Sequence, residues 1–280
     1  MVLFGAGGAF WFRSPVLVVT DSSFNQLYGP LRFYLKGIVT SLKFFRRLIT
    51  VTVAESAGSD LIRLAVEGSS RLPGMVLFPY RYIQGAQQYK EAHPAIPVFV
   101  MGGGNPKPRG EAAFTFVTTD TAQDLYRAGL CAAILNGEGK SILFFTDGVL
   151  SDAYRKAFQE GLRAQGFLND PVYANASADY SSYSSIGCVV VDGPASKFID
   201  RNLKIPVILF SWVDPATTPR AVKLVFDDSP LALAAGVLRS LPPAGEVLIP
   251  SEPIPLPDRI DGKKDFRNIQ ALIKEKFQEK

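Results

Sequence analysis

VTTDTAQDLYRAGLCAAILNGEGKSILFFTDGVLSDAYRKAFQEGLRAQGF, residues 117–167, is the stretch that decides the fold. Its opening closes the apolar run AFTFVTTD (113–120), which reads as a strand. TAQDLYRAGLCAAILNG (121–137) follows at helical spacing and stops at Gly137. KSILFFTDG (140–148) is another apolar strand. SDAYRKAFQEGLRAQG (151–166) is another helix, with Ser151 or Asp152 as its cap and Gly166 at its end. Strand and helix alternating in this way predict right-handed βαβ units on a parallel sheet.

The same rhythm runs outward in both directions. Upstream, PVLVVTD (15–21), LITVTVA (48–54), GMVLFPY (74–80) and IPVFVMGGG (96–104) read as strands. Helices are expected within 24–47, where Gly29–Pro30 interrupts the start, over 59–70 with Ser59 as N-cap, and over 81–92 before Pro94. Downstream, GCVVVDG (187–193), IPVILFSWVD (205–214) and RAVKLVFDD (220–228) are strands. ASKFIDRNL (195–203) and SPLALAAGVLRSL (229–241) are helices, the second opened by Ser229 and Pro230. Residues 172–185 are rich in Ser, Tyr and Asp and read as a variable segment. Residues 242–265 are Pro-rich and extended. FRNIQALIKEKFQEK (266–280) has the spacing of an amphipathic helix, either packed on the body or free to meet a partner.

Composition removes many function classes. The chain has 280 residues, 47% of them hydrophobic and 20% charged, so it can bury a full core. Its net charge of +4 lacks the clustered basic excess of a nucleic-acid binder, so no nucleic-acid partner is expected. The two cysteines, Cys131 and Cys188, form no disulfide framework and no CxxC pair. His93 is the single histidine, which argues against a His-based zinc site or a Ser–His triad. No metal, cofactor or catalytic set is expected. The Gly102-Gly103-Gly104 loop lacks the Lys-Ser/Thr of a phosphate-binding loop and leads into Asn105-Pro106, not into a helix. The start, MVLFGAGGAFWF (1–12), is too short to span a bilayer, which needs ~20 apolar residues. Residues 1–14 read as the end of a signal or anchor segment, or as a chain end or short buried strand.

The run 117–167 resembles the domain crossover of type I periplasmic binding proteins. AVKLVFDDSPLALAAGVLRSL (221–241) resembles the second crossover of that family, and IPSEPIPLPDRI (249–260) the third. The likeness covers residues 15–260 and also fits the effector domain of sugar-responsive repressors. It implies an α/β fold of two lobes, parallel sheets flanked by helices, and three hinge crossovers near Thr119, Phe226 and Pro250. One lobe would comprise 15–118 plus 229–249, the other 119–228 plus 250–265, with 266–280 as a terminal helix. VTDSSFNQLYGPL (19–31) is similar to the opening of the basic-membrane-protein group, whose members bind purine nucleosides, although the spacer before Ser-Phe-Asn-Gln has nearly vanished.

The resemblance implies a monomeric, extracytoplasmic solute-binding protein, either free or membrane-anchored, and no enzyme. Its lobes would close by hinge bending on a nucleoside or sugar and serve a membrane permease. The alternatives are an anchored sensing domain that signals to a partner, or a repressor-like effector-binding domain. The ligand-binding candidates are Asp21, Ser23, Phe24, Asn25, Tyr80, Gly102, Asp120, Asp147, Asp192, Trp212 and Asp214, most of them at strand carboxyl ends. Phe24 and Trp212 would stack on a ring, and Asn25 and the carboxylates would take hydroxyls. Asp21 reads equally as a helix cap, Trp212 as a plug, and Asp147 and Asp192 as turn residues before Gly. Arg155 reads either as a contact for an anionic ligand group or, the favoured assignment, as a pair with Gln159 or Glu160 on its own helix.

Overall fold

The computed structural model describes residues 13–23, 30–69, 72–102, 114–136, 140–175, 185–192, 203–210, 220–240, 246–256, 260 and 263–277. The chain divides into two compact units. The first holds Met1–Thr119 and Ser229–Ile249, the second Asp120–Asp228 and Pro250–Lys280. The chain therefore passes between units three times, after Thr119, after Asp228 and after Ile249.

The first unit is built on strands β1 (Val16–Asp21), β2 (Leu48–Val53), β3 (Met75–Pro79), β4 (Val98–Met101), β5 (Thr115–Thr119) and β11 (Glu246–Ile249). Their order is β11-β5-β4-β3-β1-β2, and every neighbouring pair is parallel. Helices α1 (Pro30–Phe44), α2 (Ser59–Gly68), α3 (Ile83–Ala92) and α6 (Pro230–Ser240) belong to the same unit. All six residues of β1 are buried, because a central parallel strand is covered on both faces. Edge strand β2 alternates only at its end, where Val51 and Val53 turn inward. The core joins Leu17, Val19, Val76 and Phe78 of the sheet to Ile62 and Val66 of α2 and Ala86 and Tyr89 of α3.

The second unit contains β6 (Ser141–Phe145), β7 (Val172–Ala174), β8 (Ile186–Asp192), β9 (Val207–Phe210), β10 (Val222–Asp227) and β12 (Glu252–Pro255). Their order, β12-β10-β9-β8-β6-β7, repeats the first sheet with β6 in the place of β1. Only β12 runs antiparallel to its neighbour. Its two prolines are tolerated because it is an edge strand. Helices α4 (Thr121–Asn136), α5 (Asp152–Ala164) and α7 (Lys263–Leu272) cover this sheet. Ile269 and Leu272 of α7 are buried in the core cluster with Phe144, Phe158 and Phe226, so the last described helix is packed on the unit.

Local signals explain most boundaries. Ser151 caps α5 by accepting the Tyr154 N–H, and Gly166 ends its helix at φ +80°. Ser229 caps α6 through the Ala232 N–H, with Pro230 as the first helical residue. Two boundaries differ from the sequence expectation. Ser59 is the first helical residue, and Gly58 precedes it in extended conformation without a side-chain cap. Val172–Ala174, expected in a variable segment, forms β7 beside Leu143–Phe145. Three residues are too few to carry a readable period, and pairing with β6 makes the strand. The helix expected over 195–203 falls almost wholly outside the described residues.

Helices α4 and α5 meet backbone to backbone. A Cβ on Gly161 would strike the Tyr126 carbonyl oxygen and lie 3.1 Å from Gly129 Cα; one on Gly129 would strike the Phe158 carbonyl and lie 2.9 Å from the Leu162 nitrogen. At the start of α4, the buried Asp124 accepts the Ser251 N–H at 2.8 Å, while Arg127 reaches the Ser251 carbonyl at 3.5 Å. Burial pushes the Asp124 carboxyl up to about 7, against the opposing pull of Ser251 and Arg127.

Two outcomes follow. Gly161→Ala should destabilise the protein by roughly 1–3 kcal/mol by prising the helices apart, while Gly68→Ala, which meets nothing within 4 Å, should not; denaturant titration distinguishes them. Asp124 keeps its proton in the folded state to a higher pH than in the unfolded chain. Its contribution is therefore complete below pH ~4 and declines as pH rises to about 7. Asp124→Asn should flatten the fall in unfolding free energy between pH 4 and pH 7. An unchanged slope would show that this carboxyl is not responsible.

Candidate functional site

Open parallel sheets bind ligands beyond the carboxyl ends of their strands, where the strand order reverses. Each unit has one such point: between β1 and β3 in the first sheet, and between β6 and β8 in the second. Crossovers leave these neighbouring strands in opposite directions, so no connecting helix covers the gap. Five of the sequence candidates lie at these two places, or within two residues of them: Asp21, Ser23 and Tyr80 in the first unit, Asp147 and Asp192 in the second.

At the first point Asp21 ends β1 and is fully buried. Its carboxylate accepts the Ser23 N–H at 2.9 Å, the Ser23 hydroxyl at 2.5 Å and the Tyr82 phenol at 2.6 Å. Arg81 lies 3.1 Å from its other side and also donates to Ser23 Oγ at 2.9 Å. Burial alone would raise this carboxyl, but the Ser23 and Tyr82 hydrogen bonds and the Arg81 charge together hold it below its ordinary value. Burial and the Asp21 carboxylate in turn push the Tyr82 phenol up to about 12. Asp21 thus clamps the end of β1 to the 3₁₀ turn Tyr80–Tyr82 that follows β3. The solvent-facing groups beside it are the Tyr80 ring, 40% exposed, the Arg81 side chain, 44% exposed, and the half-buried Ser23. Tyr82 was not a sequence candidate; its position two residues beyond Tyr80 gave no separate signal.

At the second point the buried Thr146 hydroxyl donates to Asp192 Oδ2 at 3.1 Å and accepts the Gly148 N–H at 3.1 Å. Asp147 stands exposed between them in the chain, and Asp192 is partly exposed. Two carboxylates and a hydroxyl therefore gather at one sheet end. Thr146 was also missed by the sequence reading, because a Thr at a strand end is unremarkable until its partner 46 positions away is known.

The remaining candidates lie elsewhere. Asp120 caps α4, accepting the Gln123 N–H at 3.0 Å. Gly102 ends β4 at φ +77°, its N–H bonded to the Val117 carbonyl. Phe24, Asn25, Trp212 and Asp214 fall outside the described residues, as do Gly103 and Gly104. Arg155 lies over the Tyr173 ring at 4.9 Å, so its guanidinium is held by an aromatic face and not by the helical pair expected for it.

Among the described residues neither sheet end carries a histidine or a cysteine. His93 sits at the end of α3 with Nε2 3.0 Å from Glu67. Cys131 and Cys188 are wholly buried; burial pushes the Cys131 thiol up to about 12 and the Cys188 thiol up as well. Among the described residues no group of three or more His, Cys, Asp or Glu side chains is placed to hold a metal ion.

No protein-family model matches this chain, and no curated protein does. Solved structures do. A periplasmic ribose ABC transporter protein from Conexibacter woesei superposes with TM-score 0.54 at 14% identity, covering 94% of this chain and 95% of its own. A solute-binding protein of an ABC transporter system from the same organism gives TM-score 0.54 at 11% identity, covering 94% and 95%. A transcriptional activator of the comK gene from Bacillus halodurans gives TM-score 0.59 at 11% identity, covering 95% and 98%. At these identities the likeness is one of fold. Two sheets of mainly parallel strands, flanked by helices and joined by three passages of the chain, make this the type I periplasmic-binding-protein fold.

Proposed function

We propose that this protein binds a small polar ring compound, a sugar or a nucleoside, outside the cytoplasm and presents it to a membrane permease. The observation that carries the reading is the Thr146–Asp192 pair beside Asp147 at the strand-order reversal of the second sheet. Carboxylates in such a place accept sugar hydroxyls through charge-assisted hydrogen bonds, each worth roughly 1.5–3 kcal/mol. Taken by itself, the first unit offers the exposed Tyr80 ring and the Arg81 side chain at its own strand-order reversal. The chemistry present there is that of recognition: acceptors, hydroxyls and an aromatic face, without a histidine or an ionisable thiol. Two of the superposed structures come from transport systems, one of them for ribose, which supports a sugar over other polar solutes. The stacking roles of Phe24 and Trp212, and the hydroxyl-binding roles of Asn25 and Asp214, form part of the same proposal.

Calorimetry and thermal shift with ribose, hexoses and purine nucleosides test it. At least one class should raise the melting temperature. Asp192→Ala should then weaken binding about tenfold to a hundredfold while leaving the melting temperature of the free protein nearly unchanged. Asp21→Ala should behave differently. It strips the acceptor from Arg81 and Tyr82 and should lower stability by roughly 1–3 kcal/mol with or without ligand. Because the Asp21 carboxyl is held below its ordinary value, its contribution is present above pH ~4 and is lost as pH falls further. If no sugar or nucleoside shifts the melting temperature, the ligand class is wrong. If Asp192→Ala binds the ligand as the parent does, the second sheet end is not the site.

A further inference from the structure

Helix α1 turns a row of large apolar side chains to solvent. Over its described side chains, 34–44, the buried residues are Thr40 and Ser41, Phe44 is partly buried, and a Cβ on Gly37 would lie 3.9 Å from Leu231 of α6. Ser41 is tied down on both sides, donating to the Gly37 carbonyl and accepting the Leu48 N–H. The large apolar residues point the other way. Tyr34 is 67% exposed, Leu35 50%, Ile38 39%, Val39 62% and Leu42 62%, with Phe45 just past the helix end at 50%. At about 100° per residue, positions 34, 35, 38, 39 and 42 fill one continuous arc roughly 140° wide. An apolar stripe of this kind normally faces a core, and left in water it marks an interaction surface.

Charge decides what covers it. No Asp or Glu occurs between Asp21 and Glu55, while Arg32, Lys36, Lys43, Arg46 and Arg47 all lie in that span. By helical position, Lys36 and Lys43 border one edge of the apolar arc. A second copy paired antiparallel about a two-fold axis would set these basic edges against each other. A surface of anionic phospholipid headgroups over hydrocarbon complements both features. The apolar arc sinks to the acyl boundary, and the basic edge meets the headgroups. We propose that α1 docks the first unit onto an anionic membrane surface, lying in the plane of the interface. This goes beyond the solute-binding reading and does not depend on it.

The experiment is co-sedimentation of the full chain with vesicles of phosphatidylcholine, alone or with one third phosphatidylglycerol. The protein should pellet with the mixed vesicles at low salt, less with pure phosphatidylcholine, and less as salt rises. Leu42→Glu and Leu35→Glu replace exposed side chains, so both variants should fold with the parent's circular dichroism and bind at least about tenfold more weakly. Lys43→Gln should cost about fivefold on the mixed vesicles only. The proposal is overturned if the parent stays in the supernatant at low salt, or if it binds both vesicle types equally. Binding of Leu42→Glu at the parent's strength would also overturn it, by placing the contact elsewhere in the chain. So would a parent that leaves vesicles alone but forms a concentration-dependent dimer that Leu42→Glu dissolves, since the face would then belong to a second copy.

Discussion

A parallel strand covered on both faces takes a charge only where a partner satisfies it, which favours the strand ends. That constraint organises both units. In β1 the sequence VLVVTD is buried from end to end, and its one acid stands at the last position. Polarity is displaced to the carboxyl edge of each sheet, where helices begin and strand order reverses. The chemistry available to a ligand is therefore concentrated there before any particular ligand is considered. It also explains why the buried acid at that edge must be internally satisfied: a carboxylate with no exposure survives only with donors around it, and Ser23, Arg81 and Tyr82 supply them.

The two sheets meet this constraint differently at equivalent places. In the first, Arg81 and Tyr82 close over the acid, leaving the Tyr80 ring, the Ser23 hydroxyl and part of Arg81 itself outside. In the second, the acid at the end of β8 is held by a single hydroxyl, and the neighbouring Asp147 is in solvent. One edge is enclosed around its acid; at the other an acid side chain is exposed.

Stability in the second unit is drawn from contacts that leave little slack. Two glycines bring α4 and α5 to backbone contact, and the first turn of α4 holds the strand segment after the last passage of the chain through the Asp124–Ser251 hydrogen bond. Glycine pairs of this sort exchange side-chain burial for close helix approach. The first unit shows the reverse economy at α1, where, among the described side chains, Thr40 and Ser41 pack inward and Tyr34, Leu35, Val39 and Leu42 are left outside. Such an arrangement costs solvation in the isolated protein and is coherent only if that face has a covering surface.

Much of the fold could be read along the chain. Continuous apolar runs marked the strands, because central parallel strands need no polar face; Ser151, Gly166 and the Ser229–Pro230 pair marked helix ends, because caps act over three or four residues. These are local effects, and local sequence suffices for them. Strand order, the short β7 and the fate of each strand-end acid were not legible. Asp21 and Asp147 look alike in sequence, each an acid leaving an apolar run, yet one is sealed by a tyrosine 61 positions away and the other stands in solvent. Likewise the apolar period of α1 announced that the helix has an apolar face, but not that this face points outward. Periodicity establishes that a face exists; only contacts between residues far apart in the chain decide which way it turns.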